Sequence, residues 1–245
     1  MNKIIPSPKI SYPGAKGRMA PSLVEMMPQS GLNYVEPFAG RGNVFFAASQ
    51  LDFQNWHVND IETAPFFNAL VKTKGNIKVP ERTKEEFENQ KKLFQNGDEK
   101  AILLEPYLTF SGGGYKKGGF GGKRSAGAAG YTKTLARCAE ILISTKAKIT
   151  SLDWKDMNLD RLGEDDFVFL DPPYLNADVR AYSNQFDHSA MISLLLKAKF
   201  KWMLTEYEQE IYLKAFGQPT YRRAVQLACD GRGNRTRVEC VWTNY

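Results

Sequence analysis

Short apolar runs closed by an acid, a glycine or a proline recur along the chain, separated by segments whose apolar positions fall three and four apart. Residues 33–36 (Asn-Tyr-Val-Glu) predict a strand, residues 37–42 (Pro-Phe-Ala-Gly-Arg-Gly) break it, and residues 44–49 predict a helix. Residues 56–60 predict a second strand, followed by a helix over about 63–72. This β-loop-α-β-α order opens a doubly wound sheet. The pattern resumes in the second half with strands at 148–152, 167–170 and 200–205 and helices around 187–199 and 208–215. Residues 167–170 are apolar throughout, as in a parallel strand covered on both faces. Residues 237–244 alternate as a closing strand, and a helix-like stretch at 21–27 follows the turn-forming loop 11–17.

The middle differs in character. Residues 81–100 are highly charged, with Phe87 and Phe94 on one helical face, which predicts a solvated helix with a narrow apolar stripe. Residues 111–130 are glycine-rich and carry Lys116, Lys117, Lys123 and Arg124; helical pattern returns over 133–146. The expectation is an α/β fold with a mostly parallel sheet. Residues 1–74 and 136–245 form one domain, and residues 75–135 form an insert.

Composition narrows the function. Hydrophobic content of 42% and charged content of 24% are those of a globular protein, and the net charge of +6 favours a polyanionic partner. The sequence has no run of 18 apolar residues and no basic-then-apolar leader, so a cytoplasmic location is expected. Cys138, Cys229 and Cys240 are widely spaced, and His57 and His188 are the only histidines, so neither a zinc site nor a disulfide framework is readable. The expected chemistry uses no metal and no histidine base.

Asp171-Pro172-Pro173-Tyr174 stands where the apolar strand 167–170 ends. Two prolines hold the backbone extended and donate no N–H, so carbonyls there are free to face a ligand. The carboxylate of Asp171 accepts, and the Tyr174 ring offers a stacking face. Two acceptors beside a flat ring suit an aromatic amine such as that of a nucleobase. The alternative is a proline-rigid turn with a capping acid. Gly40 and Gly42 allow a tight turn after the first strand, and Asp60 ends the second, at a spacing that suits a carboxylate on the ribose of an adenosine cofactor.

These motifs, residues 12–16 (Tyr-Pro-Gly-Ala-Lys), 35–43 (Val-Glu-Pro-Phe-Ala-Gly-Arg-Gly-Asn), 58–60 (Val-Asn-Asp) and 171–174, occur together in this order. The chain thereby resembles the Dam-type family of DNA adenine-N6 methyltransferases. The resemblance covers nearly the whole chain, including the ending at 238–245. It implies a Rossmann-like methyltransferase fold, S-adenosyl-L-methionine as methyl donor and DNA as substrate. It places Tyr12, Lys16, Glu36, Phe38 and Gly40 beside the cofactor, with Asp60 on its ribose. Asp153 would accept from the cofactor's adenine amine and Trp154 would abut that ring. Asp171 would lie between cofactor and target base, with Pro172 and Pro173 shaping the platform and Tyr174 stacking on the base. Tyr12, where the best-known members carry Trp, and Ala15, in place of a second Gly, depart from the pattern.

The insert falls where the family's target-recognition domain lies. Lys116, Lys117, Lys123 and Arg124 are expected on phosphates, against the alternative of a flexible linker. Arg232, Arg235 and Arg237 are candidates for the same role, with an exposed turn as the equal alternative. A paired adenine cannot reach such a pocket, so the base must flip out. Competing readings are methylation of cytosine N4 or of an RNA base, and a DNA-binding relative without turnover. A restriction enzyme encoded separately is compatible with the chain as a further partner.

Overall fold

The computed structural model describes residues 7–122, 127–175, 186–227 and 235–245. Seven strands form one sheet among these residues: β1 (Ser30–Glu36), β2 (Asp52–Asn59), β3 (Lys148–Thr150), β4 (Phe167–Leu170), β5 (Lys201–Tyr207), β6 (Tyr221–Leu227) and β7 (Arg235–Thr243), in the order β3-β2-β1-β4-β5-β7-β6. The first five run parallel, and β7 lies antiparallel between β5 and β6. The order reverses between β1 and β4, and in such sheets ligands bind outside the carboxyl ends of the strands at that switch.

Alternation along the central strands explains why both faces are covered. Tyr34, Phe167 and Phe169 join one apolar cluster, whereas Val35, Val168 and Leu170 join the other. The first cluster takes α1 (Ala20–Met26), α2 (Asn43–Ala48) and α3 (Ala64–Thr73). The second takes α8 (His188–Lys197) and α9 (Glu210–Phe216), through Met191, Leu195 and Tyr212.

Between β2 and β3 lie α4 (Lys84–Gln95), α5 (Glu99–Leu108), α6 (Gly114–Lys117) and α7 (Ala128–Ser144). Thr83 and Asp98 cap α4 and α5 through bonds from the Glu86 and Ala101 N–H groups. The apolar stripe of α4 is present: Phe87 and Phe94 lie 5.6 and 5.2 Å from the Tyr115 ring. Leu103, Leu104, Leu108, Tyr131 and Leu135 pack in the same cluster as Phe66 and Phe67 of α3. The helices of the insert therefore share the core of the sheet rather than building a separate one.

Several elements differ from the sequence expectation. Strand β2 begins at Asp52 rather than residue 56, because Phe53 and Trp56 both turn into the core against Tyr34. Helix α7 begins at Ala128 rather than 133. Helix α5 and strand β6 have no counterpart in the hydrophobic pattern. Almost every side chain of α5 is buried, so it shows no amphipathic stripe, and Pro106 interrupts its apolar run. Strand β6 is a polar edge strand. No helix among the described residues is long and apolar enough to cross a membrane.

Candidate active site

The carboxyl ends of β1, β2, β4 and β5 open into a cleft of about 1050 Å³. Its walls include all twelve residues assigned from sequence to cofactor or catalysis, from Tyr12 and Lys16 in the N-terminal loop to Tyr174 after β4.

The turn leaving β1 is built by glycine. Gly40 and Gly42 have φ of +53° and +74°, where side chains are strained, and a Cβ on Gly40 would stand 3.1 Å from the Tyr12 ring. Asp60 closes this turn. Its Oδ2 accepts from the Gly40 N–H at 2.8 Å, while its Oδ1 accepts from the Glu62 and Thr63 N–H groups at 2.9 and 2.8 Å at the start of α3. Burial raises the pKa of Asp60, and those backbone N–H bonds oppose the rise. Glu36, at the end of β1, is 2% exposed and accepts from the Tyr34 hydroxyl at 2.7 Å. Burial pushes its carboxyl well above the usual range; the Tyr34 bond opposes this, and the charges of Asp171 and Asp60 add to it.

Asn59 holds the floor beneath these groups. Its Nδ2 donates to the carbonyls of Pro37 at 2.9 Å and Leu152 at 3.0 Å, and its Oδ1 accepts from the Leu152 N–H at 2.8 Å and the Thr150 hydroxyl at 2.7 Å. One buried amide thus ties the β1 turn to the segment that delivers Asp153 and Trp154. Asp153 is exposed and caps a 3-10 turn by accepting from the Lys155 N–H at 2.9 Å. Trp154 and Phe38 both meet Phe186, at centroid distances of 5.9 and 5.5 Å, so three aromatic rings wall this end of the cleft.

Asp171 follows β4. Lys16 Nζ lies 2.9 Å from its Oδ1, and the Thr205 hydroxyl of β5 donates to the same oxygen at 2.6 Å. Both bonds fall on Oδ1, which leaves Oδ2 able to accept from a ligand. Lys16 is 8% exposed, also donates to the Gly14 carbonyl at 2.9 Å, and stands 3.5 Å from Glu239 Oε1 of β7. Burial lowers the pKa of Lys16, but Asp171 and Glu239 outweigh it and the net shift is upward. The Tyr174 ring is held on three sides: its hydroxyl donates to Glu239 at 3.0 Å, Lys16 Nζ lies 4.6 Å from its centroid, and Tyr207 meets it edge-on at 4.7 Å. Burial, then the charges of Asp171 and Glu239, raise the Tyr174 pKa well above that of a free phenol.

The expected DNA-binding groups are less completely placed. Lys116 is exposed on α6. Lys123, Arg124 and Arg232, and the side chains of Lys117 and Arg235, lie outside the described residues. Arg237 stacks its guanidinium over Tyr207 at 4.8 Å. His57 and His188 bond Thr150 and the Tyr212 hydroxyl at 2.7 and 2.6 Å, as structural histidines do. Cys138 and Cys240 are buried and free, and Cys229 lies outside the described residues.

Four residues without a place in the sequence expectation complete the site: Thr205, Tyr207, Glu239 and Phe186. Thr205 and Tyr207 carry a usable signal, since they end a parallel strand as Glu36 and Asp171 do. Glu239 carries one as an acid among the apolar positions of a closing strand. Phe186 has none.

The description D12 class N6 adenine-specific DNA methyltransferase belongs to a family model that matches residues 12–103. The matched segment holds the N-terminal loop, the Gly40 turn and Asp60; Asp171–Tyr174 lies beyond it. No curated protein matches the chain.

Proposed function

From the premise that the chain belongs to the D12 class of N6 adenine-specific DNA methyltransferases, we propose that this cleft binds S-adenosylmethionine beside a flipped adenine, with Asp171 as the acceptor for the amine. The observation that carries the reading is the pairing of Lys16 and Thr205 on one oxygen of Asp171, in the cleft that also holds Glu36 and Asp60.

The residues fit the cofactor. Glu36 and Asp60 are acceptor groups for an ammonium and for ribose hydroxyls, the Gly40 turn leaves space that a Cβ would fill, and Phe38 and Trp154 offer faces to a purine. S-adenosylmethionine, when bound, supplies an electrophilic sulfonium methyl group. Asp153, one of whose oxygens caps the 3-10 turn, would accept from the cofactor's adenine amine through the other.

The chain's own part is to make a poor nucleophile reactive. The lone pair of adenine's amine is delocalised into the ring. Asp171 Oδ2 and the Pro172 carbonyl accept the two amine hydrogens, which draws the nitrogen towards tetrahedral geometry and aims its lone pair. Lys16 and Thr205 hold the carboxylate in place from the other oxygen. Tyr174, fixed by Glu239 and Tyr207, stacks on the base. Catalysis is then positioning plus an acceptor placed where positive charge develops. Extruding the base costs roughly a few kcal/mol, recovered in part by this stacking.

Residues 75–135 are the subdomain that reads the target, with the basic groups of the glycine-rich segment on phosphates. The test is transfer of labelled methyl from S-adenosylmethionine to duplex DNA, followed by digestion to nucleosides. Label in N6-methyladenine supports the reading. Label in N4-methylcytosine, or none in DNA, contradicts it.

A further inference from the structure

The cleft wall and the glycine-rich segment of the insert are linked at two places. Arg41, set between Gly40 and Gly42, is 5% exposed and ion-pairs with Glu105 of α5, itself 7% exposed. The Arg41 guanidinium also lies 4.7 Å from the Phe66 ring and 5.7 Å from the Tyr12 ring. Glu105 has a second partner: its Oε1 accepts from the Tyr115 N–H at 3.0 Å. Gly114 passes so close that a Cβ there would stand 3.1 Å from the same oxygen. The other meeting point is Gly112, φ +70°, where a Cβ would fall 2.2 Å from the Ser11 carbonyl oxygen, one residue before Tyr12. The segment 112–115 therefore touches the cleft's N-terminal wall at Ser11 and, through Glu105, its glycine turn at Arg41.

Stability alone is a poor account of the pair. Burying a guanidinium and a carboxylate carries a large desolvation cost that their attraction only offsets, and apolar residues of similar volume often serve as well. The compensation here is incomplete, because Arg41 Nε is buried without a hydrogen-bond partner. What an apolar pair could not do is hold the Tyr115 N–H and a residue of the cofactor turn on one carboxylate.

We propose that Arg41 and Glu105 are positioning residues that couple DNA bound at the insert to the cofactor turn, so that duplex DNA and S-adenosylmethionine strengthen each other's binding. This rests on the reading of the cleft as the cofactor site and of the insert as the DNA face. Residues 110–122 settle against the duplex, Tyr115 and Glu105 settle with them, and Arg41 fixes the Gly40–Gly42 turn and the Tyr12 ring. The coupling is reciprocal by linkage.

The test uses S-adenosylhomocysteine, which has no methyl to transfer, and a long duplex of mixed sequence. Its Kd is measured by calorimetry with and without saturating duplex, for the wild-type chain and for the double variant Arg41→Met with Glu105→Gln, whose amide oxygen still serves the Tyr115 N–H. In the wild type, duplex should tighten the ligand by about fivefold or more. In the folded double variant both ligands should still bind, with the coupling reduced to near unity. Hydrogen exchange provides a reading free of any variant: duplex alone should slow exchange at residues 39–42 of the wild-type chain. A wild type that binds both ligands without coupling, an equal coupling in the variant, or exchange at 39–42 unmoved by bound duplex would each overturn the inference. A wild type that binds no S-adenosylhomocysteine would overturn the reading of the cleft, and the inference with it.

Discussion

Glu239 accepts the Tyr174 hydroxyl at 3.0 Å, and the same oxygen stands 3.5 Å from Lys16 Nζ. An antiparallel strand far along the chain thus fixes both the Tyr174 ring and the lysine paired with Asp171. In the proposed reaction, this arrangement lets a carboxylate that touches neither methyl nor amine act through the residues that do.

Glu239→Ala should leave the Tyr174 hydroxyl buried without its acceptor and Lys16 with Asp171 as its one remaining carboxylate partner. An unsatisfied buried group costs roughly 1–3 kcal/mol, about five- to 150-fold if it falls on the transition state. The expected outcome is a fall in methyl transfer of that size with little change in the Kd of S-adenosylmethionine. Equal losses in transfer and in cofactor affinity would assign Glu239 to the cofactor instead.

Asp60 has two duties in the structure, closing the Gly40 turn and holding the Glu62 and Thr63 N–H groups of the turn that leads into α3. Asp60→Ala should weaken S-adenosylhomocysteine binding by roughly 1–3 kcal/mol if two hydroxyl bonds go, and lower stability by about 1 kcal/mol through the backbone N–H groups left without their acceptor. Asp60→Asn, which keeps an oxygen for Glu62 and Thr63, should recover stability more than affinity. Calorimetry and thermal unfolding separate the two; an unchanged Kd in Asp60→Ala would remove Asp60 from the cofactor site.

Glu206 is 0% exposed and accepts from the Leu175 and Tyr207 N–H groups at 2.9 and 2.7 Å. Burial pushes its carboxyl up to about 8, against the pull of those bonds. With the folded pKa above the ordinary 4.5, the folded chain holds more protons across that window, so its stability falls as pH rises from 4.5 through about 8. Glu206→Gln cannot titrate. Urea unfolding should therefore show the variant gaining on the wild type between about pH 5 and about pH 8.5; a difference independent of pH would mean Glu206 folds ionised.

Replacing Lys116, Lys117, Lys123 and Arg124 by Ala should weaken binding to any duplex and reduce the salt slope by about 0.9 for each phosphate no longer neutralised. Cofactor affinity measured without DNA should not change. Altered site choice at a constant slope would make the segment a reader of bases, and no change in either would make it a linker.

The site was legible in the sequence where its chemistry is local to a strand end. Glu36, Gly40, Asp60 and Asp171 stand within a residue or a turn of an apolar run, and β4 begins and ends as the run 167–170 predicts. Thr205 and Glu239 reach Asp171 and Tyr174 across 34 and 65 positions. No local pattern reports such pairings. Helix α5 was illegible for a different reason: it is buried on nearly every side, and its acid, Glu105, is matched by Arg41, a residue in another part of the chain.

The role of Asp171 is tested most directly by Asp171→Ala in single turnover, with S-adenosylmethionine and duplex both saturating. Lys16 keeps Glu239 at 3.5 Å, so the variant should fold. The expected result is a loss of methyl transfer of at least about a hundredfold, as when a preorganised transition-state interaction is removed, with the affinities for S-adenosylhomocysteine and duplex retained. A folded Asp171→Ala chain that transfers methyl at a near-normal rate would contradict the assignment of Asp171 as the amine's acceptor.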